Sequence, residues 1–492
     1  MLDITYASIH ELHNAYRENK LTVTEVVLAH LERIAKIDSC EGGLKSVIEI
    51  NPDALFIAKR LDREWRESKQ MQPLFGIPVL LKDNIGTSDK MRTSAGSIAL
   101  ADHRANDTHF VRRLRDAGAV IIGKANMTEF ANYMTRDGMP SGYSSRGGQT
   151  LCPYNREETP SGSSSGSAVA VAAGLSTISV GTETCGSIVA PAGQNGIVGI
   201  KPTLGLVTRT GVIPISGTFD TAGPMARNVT DAAILLGVMA WPDFFDKATL
   251  ATMAFEWNVE EDEPTPPIPD YTKSLTGERL DGIRIGLNRE KEFEKTPEND
   301  EAIAAFDKFC ELLTEAGATL VDNIEMESRF DTLVTIMRYE FKACINDYLS
   351  NNITTGRGTK MRSLKDIIEY NQANAAIALK YGQSLLLEAE NKASGNLTEP
   401  AYLEALIERE KAITEMDGLF TKHNLDVLLG DTFGYTAPFT GFPSMTIPIG
   451  QRQDNNIPLH AYWTARRLDE AKMITVAYIV EKLLGLSLRP NI

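Results

Sequence analysis

The stretch SAVAVAAGLSTISVGTET, residues 167–184, decides the fold. Its first half is a run of small apolar residues that predicts a buried helix. Its second half is a short apolar run of the kind that forms buried strands. The stretch therefore predicts a helix followed by a strand in the interior of the protein.

Similar patterns of predicted helices and buried strands occur upstream of this stretch. GIPVLLKDNI (76–85) is a short apolar run bounded by turn residues, which predicts a buried strand. FVRRLRDAGAVIIGKAN (110–126) predicts a helix that stops at Gly118 and a second buried strand. Alternating helices and apolar strands predict an α/β protein whose central sheet is covered by helices on both faces.

No change of composition forces a domain boundary, so we expect residues 1–492 to form a single domain. Its core is expected over about residues 65–240. Residues 243–277 become acidic and Pro-rich, which predicts a surface excursion. Residues 300–424 are predicted to be mostly helical. Further strands are predicted at IRIGLNR (283–289), LDVLLGD (425–431) and PSMTIPIG (443–450).

The charge and the cysteines limit the class of protein. With 50 Lys and Arg against 65 Asp and Glu, the formal net charge is −15, which disfavours nucleic acid as a partner. Five widely spaced cysteines form no CxxC motif, and their odd number predicts a reducing, cytoplasmic location. No apolar run approaches the ~18 residues that a membrane helix needs, so no membrane association is expected.

The densest signal for chemistry is TPSGSSSGSAVAVAAG (159–174) followed by GTETCGSIVAPAGQNGIVGIKPT (181–203). Ser and Gly clusters are usually flexible loops, and Gly-rich turns before helices can also bind phosphate. Here the cluster opens a predicted helix among buried strands, and the P-loop pattern is absent. These features favour a catalytic site.

A serine nucleophile needs a base, and none of the seven histidines lies in a recognisable catalytic motif. A GxSxG pattern occurs at 162–166, but a polar loop precedes it where an α/β-hydrolase has a strand. Lys82 ends the apolar run VLLK, and burial there would favour its neutral amine. The alternative is a lysine at a strand end with a solvated ammonium group.

GIPVLLKDNI, PSGSSSGSA and GTETCGSI together resemble the amidase-signature enzymes. Ser163 and Ser187 are 24 residues apart, as are the bridging and nucleophilic serines of that family. The resemblance covers nearly the whole chain, and the motifs GSSSGS and SGYSSRGGQT are most similar to those of bacterial peptide amidases. It implies a large mixed sheet of the amidase-signature fold and hydrolysis of a carboxamide.

The resemblance also implies a role for each catalytic residue. Ser187 is the nucleophile, Ser163 is a bridging serine that follows a cis peptide bond with Gly162, and Lys82 is the general base. The oxyanion hole is expected from the backbone N–H groups of Thr184, Cys185 and Gly186. No metal ion or organic cofactor is expected.

Cys185 departs from the family, which usually has Gly or Asp at this position. We interpret it as a small residue tolerated in a turn, the alternative being a second nucleophile. Asp137 and Gly138 are candidates for substrate binding on the leaving-group side. Arg146 is a candidate for binding a substrate carboxylate, or for bracing the SSRGG turn.

The sequence leaves three functions open. The first is an amidase that acts on small or peptide amides, including C-terminal peptide amides. The second is the catalytic subunit of a tRNA-dependent amidotransferase, which the SGSSSGS variant and the acidic charge disfavour. The third is a non-catalytic member of the family, which the intact Lys82, Ser163 and Ser187 disfavour.

Overall fold

The computed structural model describes residues 2–256, 269–288, 300–324, 327–351, 361–430 and 436–492. The strands of these residues are β1 (Val47–Ile50), β2 (Pro78–Lys82), β3 (Val120–Ala125), β4 (Tyr143–Ser144), β5 (Gly148–Gln149), β6 (Ile178–Glu183), β7 (Val198–Lys201), β8 (Thr221–Ala226), β9 (Arg284–Leu287), β10 (Thr319–Val321), β11 (Val427–Leu429), β12 (Ser444–Gln451) and β13 (Pro458–Ala465).

The helices of the same residues are α1 (Ile9–Arg17), α2 (Val23–Arg33), α3 (Ala54–Ser68), α4 (His109–Asp116), α5 (Ser165–Ala172), α6 (Val189–Gln194), α7 (Val229–Met239), α8 (Lys247–Glu256), α9 (Asp300–Glu315), α10 (Phe330–Asn351), α11 (Leu364–Ala373), α12 (Ala375–Ala378), α13 (Ser384–Lys392), α14 (Pro400–His423), α15 (Thr436–Thr440) and α16 (Glu470–Leu484). In the part of the chain that these ranges cover, no helix is both long enough and apolar enough to cross a membrane.

Among the residues that the structure describes, 11 strands form one central sheet in the order β1-β3-β2-β6-β8-β7-β12-β13-β11-β9-β10. Strands β3, β2 and β6 run parallel, whereas β6, β8, β7 and β12 pair antiparallel. The predicted α/β architecture, a large mixed sheet with helices on both faces, is confirmed. The parallel strands β2 and β6 end at the same edge of the sheet, at Lys82 and Glu183. The candidate active site lies at this edge.

Strand β6 shows why the helix–strand stretch packs as it does. Ile178 and Val180 lie in the main apolar core, whereas Ser179 faces α5 and donates a hydrogen bond of 2.9 Å to the carbonyl of Ser167. A Cβ atom at Gly181 would lie 2.9 Å from the Oγ of Ser164. Small residues on this face of β6 therefore allow α5 to approach the sheet closely.

Most of the predicted elements occur. The surface excursion over residues 243–277 stays a prediction, and within these bounds α8 occupies residues 247–256. Thr252 of α8 is buried and donates a hydrogen bond of 2.9 Å to the carbonyl of Leu204, in the segment after β7. Packing against that segment stabilises the helix. The sequence pattern does not predict strands β1, β7, β8, β10 and β13.

Parts of four predicted segments lie outside the described residues. They are residues 257–268 of the acidic segment, residue 289 of the strand before α9, residues 325–326 and 352–360 of the helical region, and residue 431 after β11.

Candidate active site

Lys82 is the last residue of β2, and its side chain is fully buried. Its Nζ lies 2.8 Å from the Oγ of Ser163 and 2.9 Å from the carbonyl oxygen of Thr182, which lies in the neighbouring strand β6. Burial lowers the pKa of Lys82 to about 7, against the opposing effect of Glu183 and Asp220. The amine is therefore close to half neutral at neutral pH.

Ser163 lies just before α5, and the peptide bond between Gly162 and Ser163 is cis. The carbonyl of Ser163 accepts a hydrogen bond of 3.1 Å from the N–H of Thr128. The Thr128 hydroxyl in turn accepts a hydrogen bond of 2.8 Å from the N–H of Gly142. A Cβ atom at Gly162 would come within 2.5 Å of the Thr128 Oγ1, so this position has room only for glycine. Thr128 thereby holds Ser163 towards Lys82.

Ser187 follows β6, and 8% of its surface is exposed. Its carbonyl oxygen accepts a hydrogen bond of 3.2 Å from the N–H of Ser164, the residue next to Ser163. This bond connects the two serine-bearing segments. The structure thus places Lys82 in contact with Ser163, and the segment of Ser187 beside the segment of Ser163, although Lys82 and Ser187 are separated by 105 residues in the sequence.

The turn between β6 and α6 contains Thr184, Cys185 and Gly186. It begins after Glu183, whose carboxylate accepts hydrogen bonds of 2.7 and 3.1 Å from the N–H groups of Ile188 and Val189. Glu183 therefore satisfies donors at the start of α6. Gly186 has a φ of +78°, a conformation that L side chains rarely adopt.

Two buried carboxylates, Glu183 and Asp220, act electrostatically on Lys82. Burial raises the pKa of Glu183, and nearby Lys201, which is also buried, counteracts this shift. Burial raises the pKa of Asp220 to about 6, although hydrogen bonds from Thr184 and from the backbone of Ser216 and Ile215 oppose the rise. When ionised, Glu183 and Asp220 favour the charged form of Lys82. Burial thus lowers the pKa of Lys82, and the two carboxylates raise it, with burial as the larger effect.

The guanidinium of Arg146 contacts protein groups. It forms an ion pair with Glu49 and lies 3.3 Å from an oxygen of Asp83 and 3.2 Å from the Oγ of Ser94. Asp83 itself accepts a hydrogen bond of 2.9 Å from the N–H of Gly96. These contacts hold together the segment that follows β2, in keeping with a bracing role for Arg146.

Asp137 and Gly138 lie on an exposed loop. An oxygen of Asp137 accepts a hydrogen bond of 2.9 Å from the hydroxyl of Thr135, which also contacts Ser384, the first residue of α13. Gly138 has a φ of +75° and open space around it. The contacts of this loop are thus with α13, and a role in substrate binding stays a prediction.

Sequence reasoning assigned no role to Thr128, Glu183 or Asp220. Each acts on the predicted catalytic residues through contacts between segments that are distant in the chain or through burial. The available signal was the polar or acidic residue next to an apolar run, as in TETCGS and GTFDTAG. Asp220 also lines an open cavity of about 240 Å³, together with Arg209 and Cys344.

Comparison with known proteins gives a consistent result. The family model described as Amidase matches residues 25–472. A solved structure of native peptide amidase from Stenotrophomonas maltophilia is 39% identical with a TM-score of 0.87, covering 99% of this chain and 98% of that one. A probable amidase of Arabidopsis thaliana is 34% identical over 97% of this chain and 90% of that protein. A glutamyl-tRNA(Gln) amidotransferase subunit of Thermosynechococcus vestitus is 31% identical over 96% of this chain and 97% of that protein.

Proposed function

Because this chain belongs to the amidase-signature family and is an amidase, we propose that it cleaves carboxamide C–N bonds through an acyl-enzyme on Ser187. The observation that carries the proposal is the buried contact of 2.8 Å between Lys82 and Ser163, next to the segment of Ser187. It supplies a serine relay with a base that needs no histidine.

The proton relay begins at neutral Lys82. One of its N–H groups donates to the carbonyl of Thr182, which orients the nitrogen and leaves its lone pair for the Ser163 hydroxyl. Lys82 takes the proton of Ser163 as Ser163 takes the proton of Ser187. The Ser187 oxygen then attacks the amide carbonyl carbon.

The attack forms a tetrahedral intermediate with a negatively charged oxygen. We assign its stabilisation to the backbone N–H groups of Thr184, Cys185 and Gly186, where a single lost donor typically costs about 2.7–4 kcal/mol. The proton returns through Ser163 to the leaving nitrogen, and the C–N bond breaks. Water then cleaves the ester of Ser187 by the same relay, which regenerates the free serine.

For the substrate, we propose a peptide amide, from which ammonia is released. The support is the likeness to the peptide amidase, which covers nearly all of both chains.

We also propose that residues 1–492 form a single domain, because the strands of the central sheet come from residue 47 to residue 465. Asp137 and Gly138 are proposed to contact the leaving-group side. The location is proposed to be the cytoplasm, from the cysteine pattern.

The test uses the purified chain alone. A fluorophosphonate probe should label Ser187, and peptide mapping should locate the label there. The chain should also release ammonia from a C-terminal peptide amide faster than from a fatty amide or an aryl amide of the same concentration. A label on another residue, or no release of ammonia from any amide, contradicts the proposal.

The second candidate is the catalytic subunit of an amidotransferase, because one amidotransferase subunit matches nearly the whole chain. Such a subunit is expected to depend on partner subunits for its activity. Full turnover of peptide amides by the isolated chain therefore favours the stand-alone amidase. Activity on glutamine that appears only when partner subunits are added favours the alternative.

A further inference from the structure

Asp220 and Thr184 meet where the ladder between β6 and β8 stops. The register of these antiparallel strands ends with Glu183 opposite Thr221, so Thr184 and Asp220 are the next opposed pair. At this pair a side-chain bond continues the ladder, because the Thr184 hydroxyl donates to Asp220 Oδ1 over 2.5 Å. Both residues are buried.

The other oxygen of Asp220 is held by the backbone. Its Oδ2 accepts hydrogen bonds of 2.7 Å from the N–H of Ile215 and 3.0 Å from the N–H of Ser216. Three hydrogen bonds therefore fix the direction of this carboxylate. It presents a rigid acceptor to Thr184, the first residue of the turn that leads to Ser187.

The loop that holds Asp220 is itself anchored at a helix. Glu340 on α10 accepts hydrogen bonds from the hydroxyl of Ser216 and, over 3.0 Å, from the N–H of Thr218. At its other end the loop meets the segment after β2, because the N–H of Ile213 donates to the carbonyl of Asn84 over 2.8 Å. The loop thus bridges the two strand ends that carry Lys82 and the turn.

We propose that Asp220 is a positioning residue for the turn Thr184–Ser187, acting through the Thr184 hydroxyl to aim the backbone donors at the developing oxyanion. This inference rests on the proposed acyl-enzyme mechanism. Donors of this kind stabilise the transition state only when they are held in place before the reaction. Loss of the hydrogen bond should therefore lower kcat and leave KM nearly unchanged.

The variants are made at Thr184, because replacing Asp220 would remove a negative charge that acts on Lys82. They are assayed at pH 9, because loss of the Thr184 hydrogen bond raises the pKa of Asp220 above its value of about 6, and at pH 9 the carboxylate stays ionised in every variant. Thr184→Val keeps the shape of the side chain and removes the hydroxyl, and Thr184→Ser keeps the hydroxyl. The matched control is Thr208→Val, since Thr208 is buried and donates to buried Asp243 over the same 2.5 Å. Thr208→Val loses the same type of bond away from the turn, together with a hydrogen bond of 3.1 Å that the Thr208 hydroxyl accepts from the N–H of Thr210.

We expect Thr184→Val to lower kcat about 10- to 100-fold with KM within about threefold of wild type. Thr184→Ser should regain most of this loss, and Thr208→Val should keep the kcat of wild type. The affinity for a peptide aldehyde, which forms a tetrahedral adduct with a serine, should fall in parallel with kcat. Melting temperatures of all variants check the fold, and Thr184→Ala replaces Thr184→Val if the latter does not fold.

Two results would overturn the inference. One is an equal kcat for the Thr184→Val and Thr208→Val variants, and the other is a loss in Thr184→Ser as large as that in Thr184→Val. Labelling of wild-type Ser187 by the fluorophosphonate is measured first. If Ser187 is not labelled, the proposed acyl-enzyme mechanism is contradicted. If Ser187 is labelled, the kinetics of the variants test only the role of the Thr184–Asp220 hydrogen bond.

Discussion

Activity should rise with pH as Lys82 loses its proton, with the inflection near neutrality. Burial moves the pKa of this lysine from 10.5 to about 7. At 1.36 kcal/mol per pH unit, this difference corresponds to about 5 kcal/mol in favour of the neutral amine. About half of the molecules then hold neutral Lys82 at pH 7 and about a tenth at pH 6, so kcat/KM should fall about tenfold per unit below pH 6.

The assay is kcat/KM for release of ammonia from a peptide amide between pH 5 and pH 9. The rate of serine labelling by the fluorophosphonate is measured in parallel, because it reports acylation without the amide leaving group. Melting temperature at each pH shows that the protein is folded throughout. A kcat/KM that still rises about tenfold per unit at pH 9, as the ordinary lysine pKa of ~10.4 requires, or a flat profile over the whole range, would refute the role of Lys82 as the base.

The lowered pKa of Lys82 also makes the stability of the folded protein depend on pH. Between pH 7 and pH 10.5 the folded state holds Lys82 increasingly neutral while the unfolded state keeps it protonated, so the unfolded state binds more protons. The contribution of Lys82 to the free energy of unfolding therefore rises with pH through this window. Lys82→Met lacks the titrating amine, so the melting temperature of wild type relative to this variant should rise between pH 7 and pH 10. A relative fall over this range contradicts the sign.

The remaining predictions concern the serines, the cysteine and metal ions. Ser187→Ala should reduce turnover to background, Ser163→Ala should leave a residual rate, and the double variant should lose no more than Ser187→Ala, which steady-state kinetics will show. Cys185→Gly should keep most of the turnover, and a loss as complete as that of Ser187→Ala would make Cys185 catalytic. Treatment with a strong chelator should leave amide hydrolysis unchanged, because Lys82 supplies the base; a loss restored by a divalent ion would contradict the mechanism.

The strands that could be predicted are those that consist of continuous apolar runs. VLLK in β2 and VIIGKA in β3 are buried on both faces and have the composition typical of interior strands. Strand β8, TAGPMA, could not be recognised because Gly223 is followed by Pro224, and both residue types usually mark turns. In strand β13, polar residues such as His460 hide the apolar pattern.

Some features of the candidate site could be predicted from the sequence and others could not. The burial of Lys82 could be expected from the apolar residues before it, and the structure places its side chain in the interior. The bond between Thr184 and Asp220 could not, since it joins residues 36 positions apart through the register of two strands. A single sequence contains no signal for such pairing until the order of the strands is known.

The position of β7 has a consequence for any attempt to shorten the protein. A fragment of residues 1–240 would contain Lys82, Ser163 and Ser187 and all of β1 to β8. In the whole chain, however, β7 pairs with β12, from residues 444–451, on the side away from β8. The fragment would leave that side of β7 as an open edge with unpaired backbone groups, which favours aggregation. The C-terminal quarter of the chain therefore protects the sheet from association with other copies, although it contributes none of the three catalytic side chains.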